Sequence, residues 1–319
     1  MLKLFLNYCV VLPLFILSCT SKVEKEEITS NIVHNKFGIQ SVTPPKLLVT
    51  TDNNSEVINQ FLQKNNIQKV GFINDVQFLD PNKPFTFSPL LLDRELTRAF
   101  PNTQESGIAY IDLEAPYLEY LMNANINSSE FKRSKKLFLE VLAYAKKARP
   151  NVKWGYYYVP FTTYWSRTKA FYDKDQRITE IIQNSDVLFP SIYIFYNKVN
   201  FSLENKSYLK ENTEQVIRIA QKYNKKVYPL VMTRYHPSNA SIGNETIAET
   251  DFRAYIATLK NTTYNGKSVD GIMLWNADGY SNHIQEPKLT QELKKSKQNF
   301  EQFYDQYLIE FISIMLEKK

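Results

Sequence analysis

The stretch IAYIDLE, residues 108–114, ends a run of apolar and aromatic residues with two carboxylates one residue apart. On an extended strand, residues i and i+2 share a face, so Asp112 and Glu114 project together with Cα atoms about 6.6 Å apart. Two carboxylates this close do not both ionise easily. The charge on one raises the pKa of the other and keeps a proton available near neutral pH. A carboxyl that retains its proton is what a general acid for glycosidic cleavage requires. Other chemistries find less support. His34, His236 and His283 are scattered without ligand spacing, so neither a metal nor a cofactor is expected. With 8 glycines and no G-x-G-x-x-G, G-x-x-x-x-G-K-[ST] or G-x-S-x-G pattern, nucleotide cradles and the serine elbow lack a basis.

What must position this pair is an alternating chain. The 319 residues are 43% hydrophobic and 14% aromatic, enough for one large core. Seven runs read as strands: KLLVTT (46–51), VGFI (70–73), IAYIDL (108–113), WGYYYV (154–159), VLFPSIYI (187–194), VYPLVMT (227–233) and GIMLWN (271–276). Several are apolar throughout, as strands of a parallel sheet covered by helices are. Between them, Phe138, Val141, Leu142 and Ala145 follow helical spacing and should stop before Pro150. Val216, Ile219, Ala220 and Tyr223 repeat that spacing, as do Phe252, Ile256 and Leu259. About seven βα units predict an α/β fold closed into a TIM-like (β/α) barrel. An open doubly wound sheet is the rival, without its usual glycine fingerprint. The domain should run over 46–319, its tail from about 287 forming helix against the outside.

Position then sorts the candidates. Asp112 and Glu114 fall at the C-terminal end of their strand, the face where barrel sites are built. Tyr193 and Trp275 sit near the same ends of theirs. Asp186 and Asp270 start their strands, at the opposite face, where a structural role is expected.

The N-terminus reads as a targeting segment. Lys3, the apolar stretch LFLNYCVVLPLFIL and LSC at 17–19 suit a signal peptide over 1–18, with Cys19 as the lipid-modified residue of a bacterial lipoprotein. Residues 19–45 are then a polar tether ending at Pro44-Pro45. Cleavage would remove Cys9, leaving Cys19 alone and no internal disulfide. The expected location is the cell envelope of a Gram-negative bacterium, on the outer membrane and facing either the periplasm or the surface.

These residues resemble the animal hyaluronidases and their relatives, retaining glycoside hydrolases with a distorted seven-stranded barrel. SGIAYIDLE is similar to the family's Asp-x-Glu strand, ARPNVKWGYYYVP to its RPN-x-x-WGYY-x-FP segment, LFPSIY to LYPSIY, and DGIMLWN to SGIVIWG. All four occur in family order over roughly 105–276. The resemblance implies Glu114 as acid/base and Asp112 as the group that orients and charge-stabilises the substrate's 2-acetamido group, which attacks in place of an enzyme nucleophile. It implies that Tyr193 hydrogen-bonds that group with Ser191 beside it, and that Trp275 walls the sugar site. The chain departs from the pattern after VP, where FTTYW replaces Asp-Cys-Tyr and offers Tyr164 as a shifted counterpart. APYLEY replaces the acidic and tryptophan residues after the Asp-x-Glu.

A positive formal charge of +6 is compatible with a polyanionic glycan, and Lys132, Arg133, Arg167, Lys169 and Arg234 lie where they could line a groove. Arg234 is taken as a substrate contact. The resulting expectation is endo-cleavage of a glycosaminoglycan, hyaluronan or chondroitin, with no nucleic-acid partner and a membrane contact only through the lipid. Two alternatives stand beside it: a chitinase-like or endo-N-acetylglucosaminidase activity on neutral chains, and a surface lipoprotein that binds glycan without cleaving it.

Overall fold

The computed structural model describes residues 45–317. The expected signal peptide, Cys19 and all but the last residue of the expected tether lie outside the described residues.

The described residues hold nine strand segments: β1 (Lys46–Thr51), β2 (Gln68–Lys69), β3 (Gly71–Asn74), β4 (Gly107–Asp112), β5 (Val152–Tyr156), β6 (Val187–Leu188), β7 (Lys226–Val227), β8 (Leu230–Val231) and β9 (Gly271–Asn276). They make seven staves. β2 pairs with β1 and β3 with β4, in parallel, so these two segments are one stave broken at Val70. Likewise β7 pairs with β6 and β8 with β9, a stave broken at Tyr228-Pro229. Pro229 has no N–H to give to a ladder, which accounts for the second break. β4 pairs with β5, and β5 meets the β6 stave through the Asp186 N–H to Trp154 carbonyl bond of 2.7 Å and the Tyr157–Phe189 bridge. β9 then pairs with β1 along its whole length, Lys46 opposite Gly271 through Thr51 opposite Asn276. The result is the distorted, closed α/β barrel that the alternation predicts.

Two cores follow from the period-2 alternation of the strands. Facing inward are Leu48, Val70, Ile108, Tyr110, Phe189, Tyr228, Leu230, Met232 and Met273. Facing outward, against helices, are Val49, Ile73, Ala109, Ile111, Trp154, Tyr156, Leu188, Val231, Ile272 and Leu274. Below the mouth the interior is filled by rings: Phe72–Tyr110 at 5.3 Å, Tyr110–Phe189 at 5.6 Å and Phe189–Tyr228 at 6.0 Å between centroids. Gly155 is required where β5 and β6 approach, because a Cβ there would lie 2.2 Å from the Val187 carbonyl oxygen.

The outer layer is built from the predicted stripes. In the helix Ser129–Ala148, Phe131, Leu137, Phe138, Val141, Leu142 and Ala145 are buried, and the Ser128 side chain caps its start by accepting from the Phe131 N–H. Each such side chain taken fully out of water contributes about 1.5–3 kcal/mol before its entropy cost. The helix ends just before Pro150, as expected. Lys198–Tyr223 and Glu249–Asn261 hold the other two stripes. The tail is two helices, Pro287–Ser296 and Phe300–Leu316. The second buries Tyr304, Tyr307, Leu308, Phe311 and Ile312 against the helices Glu56–Lys64 and Glu249–Asn261. Among the described residues no helix is long and apolar enough to cross a membrane.

Candidate active site

β4 delivers the carboxylate pair. Ile108 and Tyr110 face into the barrel, and the alternation carries Asp112, the last residue of the strand, and Glu114, just beyond it, to the same side. Both line a cavity of about 310 Å³ at the mouth, walled also by Tyr110, Tyr157, Tyr193, Met232, His236, Pro237 and Trp275. Glu114 is exposed at the rim, while Asp112 lies deeper with its Oδ1 buried and without a hydrogen-bond partner. An orphaned buried carboxylate oxygen inside a cavity is costly in the empty protein, so it marks a place where a ligand donor is wanted.

A third carboxylate, Asp75, completes the group. β3 pairs with β4 so that Asn74 lies opposite Asp112. Asp75 therefore emerges alongside the turn that follows, where its Oδ2 accepts the backbone N–H of Glu114 at 3.0 Å. That bond fixes the peptide carrying the acid. Among the described residues lining the cavity there is no Lys or Arg, so the three acids act on one another. Burial, then the charges of Glu114 and Asp75, hold the Asp112 carboxyl well above the usual carboxylate range. Burial raises Glu114 as well; a hydrogen bond with Asp112 opposes this and the Asp75 charge adds to it. Burial raises Asp75, against the bonds it accepts from the N–H groups of Glu114 and Val76. The inner pair thus shares a proton into a pH range where isolated carboxylates have lost theirs.

The remaining walls are aromatic. Tyr193 stacks on Tyr157 at 6.2 Å and lies 6.4 Å from Trp275. Burial pushes the phenols of Tyr157 and Tyr193 up, so they remain hydrogen-bond donors. Ser191 sits behind Tyr157, whose hydroxyl is 3.5 Å from its Oγ, and supports the wall without lining the cavity.

Two residues expected at the site are elsewhere. Tyr164 is buried among Trp165, Phe195, Tyr196 and Tyr208, and its hydroxyl donates to Asn205 Oδ1 at 2.7 Å. The loop turns it into the helix layer. Arg234 is also buried, forked onto Asp278 at 2.7 Å and bonded to Glu292 at 2.8 Å. The pairing of Arg234 with Thr246 across the following loop draws it away from the mouth toward the C-terminal helices. It holds those elements together. The other proposed groove cations are similarly occupied. Arg167 pairs with Glu204 and Glu211, and Lys169 with Asp173. Arg133 donates to the Pro84 carbonyl and lies over the Phe85 ring, while Lys132 is exposed on the outer helix Ser129–Ala148. Asp75, Tyr110, Tyr157 and His236 were missed. Strand-end position could have flagged Tyr157, and alternation with Asp112 could have flagged Tyr110. Among the described residues no group of three or more His, Cys, Asp or Glu could hold a metal ion.

The profile of the hyaluronidase family, glycoside hydrolase family 56, matches residues 102–310, more than half of the chain. The chain belongs to this family. Among relatives, the hyaluronidase Tab y 2.0101 of Tabanus yao is 25% identical over 221 residues, covering 58% of this chain and 60% of the relative. The hyaluronidase of Dolichovespula maculata is 24% identical over 232 residues, covering 62% and 67%. The chain thus spans about 60% of the length of the Tabanus protein. Bee venom hyaluronidase shares the fold with a TM-score of 0.57 at 16% identity, over 79% of this chain and 96% of that one. The same enzyme solved with a hyaluronic acid tetramer gives 0.55 and 17%, over 80% and 97%. The hyaluronidase match begins at residue 102, so β1 to β3 and Asp75 lie outside it.

Proposed function

We propose that this member of the hyaluronidase family is a retaining hydrolase that cuts N-acetylhexosaminidic bonds within a glycosaminoglycan, hyaluronan or chondroitin. One observation carries the reading. Both carboxylates lining the cavity come from the end of one strand, and the facing walls hold Tyr193, Met232, His236 and Trp275. A mechanism with an enzyme nucleophile needs a second carboxylate across the sugar. Here the substrate's own acetamido group takes that part.

Glu114, at the rim, gives its proton to the glycosidic oxygen as the bond to the anomeric carbon breaks. The acetamido carbonyl oxygen attacks that carbon from the other side and forms a cyclic oxazolinium ion. Asp112, deeper in the cavity, accepts from the acetamido N–H with its unpartnered oxygen and balances the developing charge. Tyr193 donates to the acetamido group and Trp275 supports the sugar ring. Glu114, now ionised, takes a proton from water as that water opens the ring, and configuration is retained.

A second reading, cleavage of neutral N-acetylhexosamine chains, is favoured by the absence of Lys and Arg from the described residues lining the cavity. Incubation with hyaluronan, chondroitin and chitin oligomers separates the two. Shortened hyaluronan or chondroitin with saturated ends is the expected product. Cleavage confined to chitin oligomers would give the second reading, and unsaturated ends would mean elimination and overturn the mechanism. Binding of these chains by the parent protein with no cleavage of any would leave a glycan-binding lipoprotein. For location, LSCTSK supports a lipid on Cys19 in a bacterial envelope; membrane association unchanged in Cys19→Ser would refute it.

A further inference from the structure

Hyaluronan and chondroitin carry a uronate on both sides of each N-acetylhexosamine, so a cavity that seats the hexosamine must also meet a carboxylate. The walls described so far supply none of the charge this needs. Asp112 and Glu114 repel it, Tyr110, Tyr157 and Tyr193 are neutral, and the expected cations Arg167, Lys169 and Arg234 are paired elsewhere. Among the described residues lining the cavity, His236 alone can become positive.

The ring of His236 is held for the task. Its backbone N–H donates to the Ile194 carbonyl at 2.9 Å, and the ring stacks on Tyr193 at 5.9 Å and packs on Phe195 at 4.6 Å. The Ser238 backbone N–H donates to Nδ1 at 3.2 Å, so in the neutral ring Nδ1 is the acceptor and the hydrogen is on Nε2. When the ring gains a second proton, on Nδ1, the Ser238 hydroxyl oxygen, 2.7 Å away, can accept a hydrogen bond from that N–H. Nε2, with no partner among the described residues, is left to the ligand in both states.

We infer that His236 is the specificity residue of the cavity, donating from Nε2–H to the carboxylate of a uronate next to the hexosamine being cleaved. The inference rests on the glycosaminoglycan reading and deepens it. The titratable groups that share the cavity are Asp112, Glu114 and Tyr110 from β4, Tyr157 beyond β5 and Tyr193 beyond β6. Burial lowers the pKa of His236, so in the empty cavity it is neutral near pH 7, and the incoming carboxylate favours its charged form. Binding of acidic chains should therefore strengthen as pH falls, while binding of neutral chains should not follow.

The test measures binding of an even-numbered hyaluronan oligosaccharide and of a chitin oligosaccharide to Glu114→Gln protein, which keeps the cavity but stops turnover. A preference for the hyaluronan fragment of roughly tenfold at about pH 5, shrinking at about pH 8, is expected. His236→Gln, added to Glu114→Gln, keeps a donor without charge and should abolish the acid-pH preference. His236→Lys should retain the preference at both pH values. A preference that survives His236→Gln, or none in the parent, would overturn the inference. Cleavage is scored separately on wild-type protein. Turnover of chitin alone sinks the glycosaminoglycan reading, whereas hyaluronan turnover with no effect of His236→Gln on binding sinks only the role of His236.

Discussion

The two ends of the barrel use the same residue types in opposite ways. At the N-terminal end, Asp186 accepts the Trp154 N–H at 3.0 Å and pairs with Lys146 at 2.8 Å, and Asp270 accepts the Val227 N–H at 3.0 Å. Each carboxylate is satisfied by the strands it joins. At the C-terminal end, Asp112 keeps a buried oxygen without a partner, and Asp112, Glu114 and Asp75 crowd together with no Lys or Arg among the described residues lining the cavity. The lesson is that a carboxylate becomes chemically useful where the fold withholds its partners. Burial alone is not the mark. Asp175 is buried, pushed up to about 7 and also keeps an Oδ2 without a partner, yet it lies outside the cavity and its Oδ1 accepts the Phe161 N–H at 3.0 Å, so a withheld partner counts only where a cavity opens beside it.

Substitutions at the two ends should break or sharpen this contrast. The largest effect belongs to Glu114→Gln, which keeps shape but removes the transferable proton. Turnover of the cleaved glycan should fall by about 10²–10⁴ while oligosaccharide binding survives, read by reducing-end assay and calorimetry. An intermediate effect is expected for Asp75→Asn. The amide oxygen can still accept the Glu114 N–H, so the peptide stays placed, but the charge that raises Asp112 and Glu114 is gone. The alkaline limb of the rate profile should move to lower pH with a smaller loss of turnover; an unmoved limb would confine Asp75 to a structural part. The smallest catalytic effect should come from the opposite end. Asp270→Asn should weaken one strand contact by about 0.5–1.5 kcal/mol in a denaturation experiment and leave turnover per folded molecule unchanged.

How much of this was legible in the sequence follows from where each piece of information lies. The stave pattern, the Asp112–Glu114 pair and the rim positions of Tyr193 and Trp275 are written locally, in alternation and in distance from a strand's end. Asp75 is not. Its place beside Glu114 depends on the Asn74–Asp112 register between two strands, which neither segment specifies alone. Arg234 misled for the converse reason: its strand-end position suggests the mouth, but pairing with Thr246 and an ion-pair partner more than forty residues away turn it outward. His236, two residues on, reaches the cavity in its stead. Tyr164 sits in a loop whose course no period predicts. The breaks at Val70 and Tyr228-Pro229, which let one stave serve different neighbours along its length, were equally hidden.

The central claim is that Asp112 and Glu114 act as one proton-sharing pair, and the pH dependence of kcat/KM for Asp112→Asn against the parent tests it most directly. Folding raises both carboxyls, but unequally: the Glu114 charge adds to burial in raising Asp112, whereas the hydrogen bond with Asp112 holds Glu114 down, so Asp112 keeps the last proton of the pair, and replacing it leaves Glu114 to hold that proton alone and lose it at lower pH. The alkaline limb of the profile should move to lower pH, and maximal turnover should fall because the charge facing the acetamido group is gone. An alkaline limb that stays in place with undiminished turnover would show that the pair is not the catalytic centre.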